Sequence, residues 1–126
     1  MEFITEIPLN PERLFAQIDK KGSGSVLFHY AVVQDRAGSR TSTGIRFERN
    51  GNTETELAEI ARDIKGRWNI DDVLLVRRIG TLTVGDVISL VAVSSPASND
   101  AFEACRFGLE RLKKMVSLRK TEIFRD

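Results

Sequence analysis

The sequence has a single cysteine and a single histidine among its 126 residues. One thiol cannot close an internal disulfide, which fits a reducing compartment. Cys105 and His29 lie far apart and no closely spaced ligand set accompanies either, so no metal site is expected. No resident cofactor is expected. A serine triad would need His29 as its base, and no nucleophile elbow is present. An excess of one charge is also missing: Lys and Arg number 19 against 18 Asp and Glu, a net charge of +1. Composition thus makes no case for a nucleic-acid partner, and any basic site must be local. There is no charged leader followed by a long apolar run, and no apolar stretch approaches the roughly 20 residues that span a bilayer. No membrane partner is expected, and the cytoplasm is the expected location. What is present is ordinary: 41% hydrophobic and 29% charged residues, one domain over residues 1–126 with enough chain for a real core.

Taken in order, residues 2–7 alternate as a strand would. Asn10-Pro11-Glu12 opens a short helix, with Asn10 as cap and Leu14, Phe15 and Ile18 as its apolar side. The segment 20–24 is a turn, and residues 25–33 read as a strand holding His29, expected as a satisfied core or interface histidine. Residues 34–43 are polar, carry Arg36 and Arg40, and read as a mobile surface loop. A short strand at 44–48 and an Asn50-Gly51 turn follow. Thr53 and Glu56 have capping-box spacing, and Leu57, Ile60, Ala61, Ile64 and Trp68 form one apolar stripe of a long helix. Residues 73–79 are the next strand, ended by Gly80.

The stretch 84–113 organises the rest. Gly85-Asp86 is a turn signal, and residues 87–93 are an almost continuous, β-branched apolar run, expected as a strand covered on both faces. Ser94-Ser95-Pro96 ends it. Ser98 or Asn99 is the expected cap of a helix whose core side is Phe102, Cys105, Leu109 and Leu112. Cys105 is expected to be inert core. Lys113 and Lys114 suit the negative end of that helix. Residues 117–124 alternate as a last strand. Mixed strands and helices without repeat or linker predict an α+β domain.

Cations cluster where the last helix ends. Lys113 and Lys120 stand seven positions apart, and a helix end with a short return brings two such groups to one pocket suited to a phosphate. A solvated charged edge is the other reading that composition leaves open.

GDVISLVAVSS, then AFEAC and a Leu-Lys pair, together with LAEIARDIKGRW and VRRIGTL upstream, resembles the large, catalytic subunit of molybdopterin synthase over residues 24–122. The order and spacing of these pieces, rather than any one of them, make the match. The resemblance implies an α/β-hammerhead-like fold. It implies a homodimer within a heterotetramer, whose partner is a small ubiquitin-like sulfur-carrier subunit ending in a Gly-Gly thiocarboxylate. The implied reaction moves two sulfurs to cyclic pyranopterin monophosphate and forms the dithiolene of molybdopterin. The family's two pocket lysines match Lys113 and Lys120, implied to bind the substrate's anionic groups and assist acid–base steps. Arg119, Ser98 and Arg36 are the further candidates for anion contacts, with Arg40 as another possible substitute.

Several positions depart from the family's pattern. Its His-Arg pair falls at Ala97 and Ser98, and its arginine after the first core strand falls at Gln34. The aromatic-rich segment before the second lysine reads Ser117-Leu118-Arg119, and the sequence reaches Asp126 without the Trp-containing tail. A degenerate homologue acting as a binding or regulatory scaffold is the alternative these departures raise.

Overall fold

Which residues alternate, and which do not, decides how the layers stack. The computed structural model describes residues 1–125, so Asp126 lies outside the described residues. The elements run β1 (Glu2–Thr5), α1 (Pro11–Gln17), β2 (Ser25–Val32), β3 (Arg36–Ala37), β4 (Arg40–Arg49), α2 (Thr53–Arg67), β5 (Asp72–Arg78), β6 (Gly80–Thr83), β7 (Val87–Ser95), α3 (Ser98–Lys113) and β8 (Leu118–Phe124). The first sheet has the order β1-β5-β7-β2, with β1 parallel to β5 and the other pairs antiparallel.

The expected two-sided strand is β7, and β5 shares its situation. Val73, Leu75, Val91 and Val93 face α2 and α3, where they meet Leu57, Ile60, Ile64, Ala104 and Leu112. Their alternates Leu74, Val76, Leu90 and Ala92 face α1, where Leu14 and Ile18 cover them. Period-2 alternation puts successive residues on opposite faces, so only a continuous apolar run satisfies both. The Asn10 cap forms as expected, its Oδ1 accepting from Glu12 N at 3.0 Å and Arg13 N at 3.3 Å.

The second sheet is built on β4, which pairs antiparallel with β6 along one edge and β8 along the other. Gly80 connects it to the first sheet at φ +96°, a left-handed conformation that costs glycine little. Val33, Ile45, Phe47 and Leu82 form its own apolar cluster.

Several expectations are corrected. The segment 34–43 is a hairpin: Arg36 pairs with Thr41 and Ala37 with Arg40, and β4 is a ten-residue strand that already begins at Arg40. Its polarity reflects an exposed ribbon rather than irregular backbone. Asn52, not Thr53, caps α2, its Oδ1 accepting from Thr55 N at 3.0 Å. Thr53 is already inside the helix, and its hydroxyl donates to Ser117 O at 3.0 Å. Glu56 therefore binds no cap. It accepts from Val116 N at 3.0 Å and from Ser117 N at 2.9 Å, fastening α2 to the start of β8. Ala97 caps α3 without a side-chain bond, so neither Ser98 nor Asn99 serves. Phe102 is exposed, because Ala101, Ala104 and Gly108 are the residues of α3 small enough to meet the sheet, and Phe15 is exposed on α1, where Leu14 is the buried residue. Trp68 packs at the core's edge, its ring 5.4 Å from Phe107 and its Nε1 donating to Glu103 Oε2 at 2.9 Å. Cys105 is buried as expected, and burial pushes its thiol pKa up.

Two consequences are measurable. A Cβ on Gly108 would stand 2.9 Å from Val91 Cγ1 and 3.2 Å from Ile64 Cδ1, so α3 sits close only because this position is glycine. Gly108→Val is expected to lower stability by about 2–3 kcal/mol through overpacking, read from the urea midpoint. Burial raises the pKa of Glu56, but the bonds from Ser117 and Val116 and the charge of Arg111 outweigh it, and the net direction is down. A carboxyl held below its unfolded pKa stabilises the fold at neutral pH and loses that contribution as pH falls through the folded value. Glu56→Gln is expected to lower stability at neutral pH and to flatten its decline between about pH 5 and pH 3, measured as urea midpoints across that range.

Candidate active site

The two sheets diverge beyond Arg77 and Ser89, and a cavity of about 720 Å³ opens between them beside the end of α3. That volume lies within the range of small-molecule sites. Its walls come from six strands, the segment after β2 and the C-terminal turn of α3. Ala31, Ile45, Phe47, Ile88, Leu109, Leu112 and Met115 supply an apolar lining. Into it face four cations, Arg36, Arg77, Lys113 and Lys120, against one carboxylate, Glu122. A chain of net charge +1 thus gathers much of its local positive charge in one place. An anion would be drawn there from solution, and fixed by whichever cations lose their water.

Each sequence-derived candidate has a definite place. Lys113 is the last residue of α3, and Lys120 is the third residue of β8. Both line the cavity, and both are exposed at its mouth. The last turn of α3 is held by Arg111, whose Nη1 donates to Asp63 Oδ2 on α2 at 2.6 Å. β8 is held at its start by the Glu56 bonds and along its length by β4. Arg36 reaches the cavity from the hairpin. Arg119 does not line it. Next to Lys120 on a strand, it projects from the opposite face, where its Nη2 lies 3.5 Å from Asn50 Oδ1. Ser98 stands at the other end of α3 and shares a 2.7 Å hydroxyl–hydroxyl bond with Ser25. Arg40 lies over the Phe124 ring at 3.6 Å and is not among the lining residues.

Two residues that sequence reasoning passed over or set aside belong to the site. His29 is half-buried, lines the cavity, and its Nδ1 has no partner among the described residues, so of the two expectations, core or interface, it is not the satisfied core histidine. Arg77 is only 6% exposed, and its Nε is likewise unpartnered. Burial pushes its pKa down to about 10, with the charge of Glu56 partly opposing, and it remains a cation at neutral pH. In the sequence Arg77 and Arg78 together end the apolar run of β5, and strand spacing puts Arg77 on the face of Val73 and Leu75 without distinguishing which arginine meets a cavity. Of the four buried side-chain polar atoms left unpartnered among the described residues, those of His29, Arg77 and Glu122 line this cavity. Such atoms are rare in folded proteins, and their convergence marks a place where a ligand completes the hydrogen bonding. Among the described residues no group of three or more His, Cys, Asp or Glu could hold a metal ion. No helix among them is long and apolar enough to cross a membrane.

Residues 4–115 match the family described as MoaE protein. The molybdopterin synthase catalytic subunit of Bacillus subtilis is 28% identical over 124 residues, covering 98% of this chain and 79% of that protein. The molybdopterin synthase catalytic subunit of Nostoc sp. is 29% identical over 125 residues, covering 98% and 76%. Molybdopterin synthase from Staphylococcus aureus has the same fold, with a TM-score of 0.88 at 29% identity over 98% of this chain and 90% of that chain. Molybdopterin cofactor biosynthesis protein E from Burkholderia multivorans gives 0.83 at 27% identity, covering 98% and 87%. The expected α+β, hammerhead-like architecture is the one these structures share. The family match runs from β1 through the end of α3 and includes Lys113, so the chain belongs to the MoaE protein family.

Proposed function

We propose that this chain is the catalytic subunit of a molybdopterin synthase. It transfers sulfur from a small-subunit thiocarboxylate to cyclic pyranopterin monophosphate in molybdenum cofactor biosynthesis. Family membership carries the reading, and the cavity beside the end of α3 supports it. The whole chain acts as one large-subunit-like domain, working in the cytoplasm as a homodimer within a heterotetramer. Cys105 is the only cysteine in the sequence and is not among the cavity lining, so this chain offers no thiol there to carry the transferred sulfur. That fits a carrier whose extended tail enters the cavity.

Lys113 and Lys120 are the proposed catalytic pair. Their ammonium groups neutralise the substrate's anionic groups and the charge that develops on sulfur and on the leaving phosphate oxygen. Either can also exchange a proton with the pterin as carbon–sulfur bonds form. Arg36, on the hairpin wall, adds a further anion contact. Arg119 and Ser98 lie outside the cavity walls, which supports no direct role for them within one copy of the chain. The positions of the family's His-Arg pair, Ala97 and Ser98, are exposed and at the far end of α3 from Lys113.

Reconstitution with a thiocarboxylated small subunit and the pterin precursor tests the reading. Dithiolene formation is expected in the wild type. Lys113→Ala and Lys120→Ala are each expected to slow it about 100-fold or more, the usual scale for a lost acid–base or charge-stabilising group. Absent turnover with the small subunit still bound, alongside an active family enzyme in the same assay, would instead identify a scaffold that has lost the chemistry.

A further inference from the structure

We infer that Arg77 is the phosphate-binding residue of the cavity, supplying from β5 the buried positive charge that the positions of Gln34, Ala97 and Ser98 lack. The identity of the phosphate, that of the pterin precursor, rests on the function proposed above. The binding role rests on geometry alone.

Arg77 has the features of a residue waiting for an anion. It is 6% exposed, with no carboxylate in ion-pairing distance among the described residues and no partner for its Nε. Its neighbour Arg78 is equally buried but differently placed: Arg78 Nη2 donates to Glu6 O at 3.2 Å, and its Nη1 lies 3.9 Å from Asp86. Each leaves its Nε unpartnered, but Arg78 has a hydrogen bond and a nearby carboxylate, whereas Arg77 has only the Phe47 ring and the more distant charge of Glu56. A buried, unpaired cation is costly, and folded chains retain one where binding offsets the cost.

The surroundings leave room for the missing partner. Across the sheet from Arg77 stands Ser89, and beyond Ser89 stands Ala31. Both are small, so the sheet surface beside the guanidinium is open, and both line the cavity. From the second sheet, Phe47 lies under the guanidinium, 4.6 Å from Cζ to the ring centroid. Stacking of this kind holds the plane of the fork while leaving its edge N–H groups free for a planar or tetrahedral anion. A phosphate there would sit among Arg77, Ser89 and the unpartnered Nδ1 of His29 on one side. Lys113 and Lys120 would meet the reacting part of the substrate nearer the mouth.

The test compares wild type, Arg77→Met and Arg77→Lys in the full chain. Each is titrated calorimetrically with inorganic phosphate and with cyclic pyranopterin monophosphate, and the Tm of each unliganded protein is recorded. Arg77→Met is expected to weaken both ligands about 10- to 100-fold, the value of a charge-assisted hydrogen bond. Arg77→Lys should fall between. The unliganded Tm of Arg77→Met should equal or exceed the wild-type value, because an uncompensated charge has been removed. A residue that merely supports the fold would show the opposite: lower Tm with unchanged affinity, and that result overturns the inference. Should Arg77→Met not fold, the Nε–H resonance of wild-type Arg77 decides, since an unmoved signal on phosphate addition also overturns it. Wild type that binds phosphate through Arg77 but not the pterin precursor would support the inference and remove the proposed substrate. Wild type that turns over normally with Arg77→Met unaffected would do the reverse.

Discussion

The central pair of strands, β5 and β7, must be covered on both faces, and the rest of the molecule follows from that. Val73, Leu75, Val91 and Val93 require α2 and α3; Leu74, Val76, Leu90 and Ala92 require α1. Once three helices are committed to this task, nothing remains to cover the second sheet except the first. The two sheets meet through Ile45, Phe47, Leu82 and their neighbours, and close contact stops where the apolar run of β5 gives way to Arg77. The cavity is the space left by that change of residue type. Its floor is therefore part of the doubly covered strand pair, while its mouth is edged by a hairpin and an exposed helix end.

Electrostatics divides the same way. Lys113, Lys120 and Arg36 are exposed, so water screens them and their individual contribution to binding is modest. They draw an anion in. Arg77 is buried, so a hydrogen bond made there is not shared with solvent and is correspondingly stronger. A site of this kind does not need every cation that relatives place around it. On the inference drawn for Arg77, one well-buried guanidinium takes the place of the two arginines that the resemblance puts at Gln34 and Ser98.

Much of this was legible in the sequence, for reasons that can be named. A continuous β-branched run between turn signals has few alternatives to a doubly covered strand, and the stripe from Leu57 to Ile64 has few alternatives to a core helix. For Lys113 and Lys120 spacing left a pocket and a solvated edge both open, and the resemblance singled them out; both line the cavity. The failures share a cause, which is that local spacing does not fix pairing. Asn52 took the cap from Thr53 because Thr53 and Glu56 had their partner in Ser117, just before β8 and more than 60 residues away. Phe102 looked like core by spacing, but the helix approaches the sheet through Gly108, which turns Phe102 outward. Arg119 was grouped with Lys120 by proximity in sequence, although adjacent strand residues face opposite ways. Arg77 could be singled out from Arg78 only with the register against Ser89 known.

The pairing of α2 with β8 through Glu56 and Ser117 has a consequence for how the molecule forms. β8 joins the second sheet as its last strand and closes the cavity wall with Lys120 and Glu122. The other walls come from segments as early as His29, so the site has no local precursor anywhere along the chain. Loop closure across such separations is slow relative to helix formation or to the docking of α3 on β7. Binding competence therefore depends on contacts distant in sequence, and a chain whose last strand is undocked would lack the cavity wall that carries Lys120 and Glu122.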